Sequence, residues 1–157
     1  MTLRRALTLL ALLAFILGGP SGCSQPEESK LKASEVTPKI RALIDTFAVE
    51  MAKPGTTPRP SFDKNMPCSD DRDDPYVSPT YMVDVTTRVD AREHIEKVLM
   101  PRFKADGWRT DSTESDGGFN YHFIRSDDYK FGITMGKTTG RATVHGSGPC
   151  ALGDATN

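Results

Sequence analysis

The sequence predicts an α+β domain of two layers, with two helices packed on one antiparallel sheet of about four to five strands. Three observations carry this prediction. Two segments, opening near Thr37 and Asp90, repeat apolar residues at helical spacing. The run TYMVDVTTRV, after Pro79, alternates and is rich in β-formers. From Trp108 to Cys150, further alternating runs are separated by turn residues, which reads as a meander.

The elements follow in order. Thr37 is the expected N-cap of the first helix, and Pro38 suits its first position, where a missing N–H costs nothing. Ile40, Leu43, Ile44, Phe47 and Met51 make its apolar stripe, and Pro54-Gly55 ends it. Residues 54–78 read as a long loop rich in Pro, Asp and Thr, with Cys68 in its middle. A loop of that length inside a compact domain needs something to hold it. Tyr81 to Arg88 is the first predicted strand. Asp90-Ala91-Arg92-Glu93 matches a capping box. Ala91, Ile95, Val98, Leu99 and Phe103 form the second stripe, which Pro101 should kink or end and Gly107 should cap.

Four strands are expected after that. WRTDSTES leads to a turn at Asp116-Gly117-Gly118, and FNYHFIRS carries Phe119, Tyr121 and Phe123 on one face. Asp127-Asp128 turns the chain into a run bearing Tyr129, Phe131, Ile133 and Met135. Thr138-Thr139-Gly140 turns it again into RATVHGSG and Pro149-Cys150.

The N-terminus carries a different kind of signal. Arg4 and Arg5 precede an apolar run of about a dozen residues, Ala6 to Leu17, whereas a membrane span needs roughly 20. A positive start, an apolar middle and small residues behind them fit a secretory signal over 1–22; a transmembrane helix is the alternative. Pro20-Ser21-Gly22-Cys23 resembles the bacterial lipobox, with Pro20 where leucine is usual. That resemblance implies acylation of the Cys23 sulfur, with palmitate-type chains; two or more chains hold a protein at a bilayer, whereas one binds only marginally. An ordinary signal cut elsewhere, leaving a plain thiol at Cys23, is the competing reading. Residues 23–36 then form a lipid-anchored flexible tether, about 14 residues spanning on the order of 20 Å. Residues 37–152 form a single α+β domain, and 153–157 a disordered tail. The lipobox, the helix ending in Gly107-Trp108, the aromatic meander and the cysteine close to the C-terminus together resemble the small uncharacterised lipoproteins of actinobacteria; with no agreed activity in that family, the resemblance implies location and fold and little else.

Composition bounds the rest. Loss of residues 1–22 leaves 135 of 157 residues, enough for one core, and removal of Arg4 and Arg5 moves the formal charge from −1 to −3. Nucleic-acid binders leave a basic footprint, and none is visible, so no nucleic-acid partner is expected. With Cys23 given to lipid, Cys68 and Cys150 remain, and two cysteines in an exported chain usually pair. A free catalytic thiol is the competing idea.

Candidate chemistry is sparse. The run Ser69-Asp70-Asp71-Arg72-Asp73-Asp74 offers carboxylates to a hard cation but lacks the glycine and distal glutamate of an EF-hand, so it reads as a solvated loop. His94, His122 and His145 have no ligand-like spacing; a strand separates those of His122 and His145, and His94 is expected on the solvated side of its helix. HGSGPC sets Ser147 between glycines, an incomplete nucleophile turn. No metal, cofactor or catalytic residue is assigned.

The expected function is that of a non-catalytic lipoprotein at the extracytoplasmic face of the cell membrane, binding a protein or cell-wall partner. A small hydrolase or ligand-binding lipoprotein, with its site between the sheet and the 54–78 segment, is the alternative. A deep pocket holding several of Tyr81, Asp84, His122 and Ser147 would favour the alternative, and an exposed apolar patch the first reading. Peptide mapping of the mature protein without reductant is expected to recover Cys68 joined to Cys150; two free thiols would remove that pairing.

Overall fold

The computed structural model describes residues 31–153. Signal residues 1–22, Cys23, the tether up to residue 30 and residues 154–157 of the expected tail lie outside the described residues. Helix α1 (Ala33–Met51) precedes a hairpin of β1 (Arg59–Pro67) and β2 (Tyr76–Thr86). A helical rod follows, made of α2 (Ala91–His94), a π turn (Ile95–Leu99) and α3 (Met100–Ala105). Strands β3 (Arg109–Glu114), β4 (Gly118–Ile124), β5 (Lys130–Gly136) and β6 (Arg141–Ser147) form the meander, and β7 (Ala151–Leu152) closes the described chain.

The α+β architecture agrees with the prediction, but the sheet has seven strands rather than four to five. Its order is β1-β2-β6-β5-β4-β3, with β7 also paired to β2, and every strand pair is antiparallel. The meander therefore folds back to lay β6 against β2, while the rod carries the chain from β2 to the far edge at β3. Each of the two extra strands escaped prediction for a physical reason. β1 lies in the supposed 54–78 loop, where Pro60 and Pro67 mask it. Proline is tolerated on an edge strand, and β1 is one, with a register shift between Pro60 and Phe62. β7 is two residues long and continues β6 along the same edge of β2. Thr80 opposes Ser147 and Val77 opposes Ala151, so one extra residue bulges out between them.

Strand β2 begins at Tyr76, five residues before the predicted start, and runs through Pro79. A proline inside a two-sided strand should leave one ladder acceptor without a donor. The N–H of Gly148 donates to the Pro79 carbonyl at 3.0 Å, and the return bond that Pro79 cannot make comes from the Ser78 hydroxyl, 2.7 Å from the Gly148 carbonyl. The Ser78 side chain thus replaces the missing backbone donor, and the strand survives.

Both helices begin or bend differently from expectation. α1 starts at Ala33, and Thr37 is not its cap: the Thr37 hydroxyl donates to the Ala33 carbonyl at 2.8 Å, and Pro38 lies inside the helix. Asp90 makes no side-chain cap; it pairs with Arg88, and Glu93 pairs with Lys97, so the capping box is absent. Pro101 is accommodated by the π turn just before it, where the Met100 N–H reaches back five residues to Ile95. Gly107 does cap the rod, at φ 83°. Gly107 N–H bonds the Lys104 carbonyl, Trp108 N–H bonds the Phe103 carbonyl, and the Phe103 and Trp108 rings meet at 5.5 Å. That is a Schellman end with its apolar contact.

The core lies between the helices and one sheet face. From α1 come Val36, Ile40, Ile44, Phe47 and Met51; from the rod Ala91, Ile95, Leu99 and Phe103; from the sheet Val83, Tyr121, Phe123, Phe131, Ile133 and Val144. Leu43 is half-buried and Val98 is exposed, each at the margin of its stripe. Phe123 and Phe131, directly opposite in register, stack at 4.2 Å, and Phe131 meets Phe47 at 4.3 Å and Phe103 at 5.4 Å. One ring therefore touches both helices.

A polar tie joins the helices at their outer margin. His94 is not on the solvated side; its Nε2 lies 3.0 Å from Glu50 Oε1, and Arg102 donates to Glu50 Oε2 at 2.9 Å. Burial pushes the Glu50 pKa up, but the hydrogen bonds and charges of Arg102 and His94 outweigh it and hold the carboxyl below its ordinary value.

Two outcomes follow. Phe131→Ala is expected to cost about 3–5 kcal/mol in a denaturant titration, against less than about 0.5 kcal/mol for Val98→Ala at the surface. Equal effects would contradict the aromatic keystone. Because the folded pKa of Glu50 lies below its unfolded value, its ionised form stabilises the fold above about pH 4.5 and loses this as pH falls through the lowered value. The stability difference between wild type and Glu50→Gln is expected at pH 7 and to shrink towards pH 3; a difference independent of pH would contradict the tie.

Candidate binding groove on the open sheet face

Alternation in the strands gives the sheet a second face, which no helix among the described residues covers. Along β2, Tyr81, Val83 and Val85 are buried while Asp84 and Thr86 are exposed. Along β6, Ala142, Val144 and Gly146 are buried while Arg141 is exposed. The open face is correspondingly polar.

A groove of about 940 Å³ crosses one end of this face. Its floor comes from the end of β2 and the start of β6, with Asp84 and Thr86 facing Thr143 and Arg141 in register. Its wall comes from the turn after α1 and the start of β1, which bring Gly55, Thr56, Thr57 and Arg59, with Arg59 opposite Asp84. Thr134 on β5 adds a further hydroxyl. The local sequence explains the wall. α1 ends at Met51, where Ala52 turns extended and bridges to Thr87; Pro54-Gly55 then turns the chain, with Gly55 at φ 81°, and the Thr56 hydroxyl holds the turn by donating to the Lys53 carbonyl at 2.7 Å.

The charges in the groove are unevenly satisfied. The Thr143 hydroxyl donates to Asp84 Oδ1 at 2.8 Å. Among the described residues neither Arg59 nor Arg141 is in an ion pair. A second hollow, of about 510 Å³ near the start of the rod, is the instructive contrast. Its Arg92 pairs with Glu96 and lies over the Phe119 ring, and its Lys137 pairs with Glu114. The groove instead combines two guanidinium groups, one carboxylate and several hydroxyls. That donor set suits a hydrophilic ligand bearing carboxylate or phosphate, which a guanidinium grips bidentately.

The residues singled out from sequence are scattered. Tyr81 lies under α1, its hydroxyl donating to Asp45 Oδ1 at 3.1 Å. Asp84 lines the groove, while His122 and Ser147 belong to the open face outside it. The four are not gathered into a pocket. The acidic run forms the tip of the β1–β2 hairpin and is occupied with its own bonds. The Ser69 hydroxyl donates to Asp74 Oδ2 at 2.6 Å, and the backbone N–H groups of Asp73 and Tyr76 donate to Asp71 and Asp74. The hydroxyl and the Tyr76 N–H hold the Asp74 pKa below its ordinary value. Among the described residues the large exposed apolar side chains, Leu31, Val49, Met66, Val89, Val98 and Leu152, are distributed over several elements.

Cys68 and Cys150 are joined as a disulfide, with Cα atoms 6.0 Å apart. The pairing at Val77 explains the bond's role. Val77 opposes Pro67 on one edge and Ala151 on the other, so the disulfide reaches from one side of β2 to the other. It clasps the hairpin end of β1 and the bulge between β6 and β7. The chain enters the domain at this same end, where the Leu152 N–H donates to the Leu31 carbonyl at 2.8 Å. The groove lies at the opposite end of β2, about eight residues and 25–30 Å away. Arg59, Arg141 and the threonines were missed from sequence. Their signal, a threonine-rich turn followed by an arginine on an edge strand, gains meaning only once β6 is placed beside β2. No family model, curated protein or solved structure matches the chain.

Proposed function

We propose that this chain is a lipoprotein anchored by acylated Cys23 at the extracytoplasmic face of the cell membrane. It acts without catalysis, binding an envelope partner through carboxylate or phosphate groups in the Arg59–Arg141 groove. The observation that carries the reading is the pair of arginines that, among the described residues, make no ion pair, in a hydroxyl-lined groove. The groove's position supports it too. Entry of the chain beside Leu152, at the disulfide end, leaves the groove at the opposite end of β2 from that entry point. The groove lies between the sheet and the start of the 54–78 segment, so the ligand-binding part of the alternative reading shares this location. Its lining holds one carboxylate, Asp84, already engaged by Thr143. That arrangement suits holding a ligand better than paired acid–base chemistry.

Two measurements test the two halves separately. Cys23→Ser is expected to move the protein from the membrane fraction to the soluble fraction; equally firm retention would overturn the anchor. A photo-crosslinking residue at Thr57 is expected to capture an envelope component in cells, and Arg59→Ala with Arg141→Ala should reduce capture about tenfold or more, since a charged hydrogen bond contributes about 1.5–3 kcal/mol. Undiminished capture by the double variant would overturn the groove.

A further inference from the structure

The open face holds a second arrangement, independent of the groove. Across β3, β4, β5, β6 and β2, the register aligns Asp111, His122, Gly132, His145 and Met82 in one row. Directly opposed residues of antiparallel strands share a face, so these positions belong to one side of the sheet. His122 and His145 stand two strands apart, about 9–10 Å between backbones. An ordinary side chain on β5 would separate them. Position 132 is glycine, and a Cβ built there would fall 2.7 Å from His145 Cε1 and 2.8 Å from its Nε2. The imidazole of His145 therefore lies over the intervening strand, in the space the glycine leaves.

Both rings are free to act. Among the described residues neither His122 nor His145 has a hydrogen bond or ion pair, whereas His94 is tied to Glu50. On the open face His122 is exposed and His145 is half-buried.

We propose that His122 and His145 clamp a copper ion across Gly132, with Met82 beside His145 and Asp111 beside His122. Two imidazoles 9–10 Å apart at the backbone can reach one ion between them, each contributing a ring length and a metal–nitrogen bond of about 2 Å. Copper is favoured because, among divalent first-row ions, it binds nitrogen sites most tightly, and a neighbouring thioether adds preference for its reduced form. No group of three or more His, Cys, Asp or Glu side chains able to hold a metal occurs among the described residues. The clamp is therefore a two-imidazole site on an exposed face, with its other coordination positions left to water or to a partner.

The experiment uses the full chain as expressed and purified, titrated with Cu²⁺ and, for comparison, Zn²⁺. One Cu²⁺ per chain with a two-nitrogen signature in electron paramagnetic resonance is expected, bound more tightly than Zn²⁺. His122→Ala and His145→Ala should each abolish it, and His94→Ala should not. Gly132→Ala removes no ligand but pushes the His145 ring aside, and is expected to weaken binding about tenfold or more. Circular dichroism establishes that each variant is folded. Cu²⁺ binding that is absent, that survives loss of either His122 or His145, or that is lost equally with His94 would overturn the proposal.

Discussion

The stack of Phe123 on Phe131 is the contact on which the two layers depend. It forms within the sheet, between directly opposed residues of β4 and β5, and so needs only the local meander. Phe131 then receives Phe47 from α1 and Phe103 from the rod, and Trp108 packs edge-on at 5.2 Å. Elements far apart in sequence converge on one ring. Aromatic pairs in such offset and edge-to-face arrangements add to the burial of their area. Arg125 closes the outside of the cluster, over Trp108 at 5.0 Å and Tyr129 at 4.6 Å. With the helices held to one face, the other is left for the polar side chains that line the groove.

Much of this was legible in the residues. The stripes from Ile40 to Met51 and from Ala91 to Phe103 name most of the helix-borne core, and Phe119, Tyr121 and Phe123 give the pleat of β4 correctly. Gly107 caps the rod as its sequence position implies. Illegible features share a cause: a local rule was overridden by a neighbour that the sequence does not place. Pro60 and Pro67 hide β1 because proline argues against a strand until the strand is known to be at an edge. Asp90 resembles a cap until Arg88 claims it. His94 resembles a surface residue until α1 brings Glu50 alongside. The groove belongs with these, since Arg59 and Arg141 are 82 positions apart and meet only through β2.

The sheet has two ends with different characters. At one, the disulfide clasps both sides of β2, the chain enters beside β7, and the acidic hairpin tip satisfies its own donors and acceptors. At the other, threonines and two guanidinium groups that make no ion pair among the described residues line the groove. Strength and adaptability are thus separated along the strands: covalent closure where the chain is held, and unsatisfied hydrogen-bonding capacity where it is free. The two exposed edges are guarded differently, β1 by prolines and a bulge, β3 by Arg109, Asp111 and Glu114.

Ser78 and Pro79 carry a consequence for how this sequence can change. Each residue alone is a poor choice: the proline deletes a donor from an interior strand, and the serine offers a hydroxyl where the ladder normally needs none. Together they give the Gly148 carbonyl one proton donor. Replacing Pro79 by a residue with an N–H would give that oxygen two suitors and release the serine from its duty. Replacing Ser78 while Pro79 stays would leave the oxygen with none. Drift at these adjacent codons is therefore order-dependent, with the path through loss of the imino acid open and the path through loss of the hydroxyl obstructed.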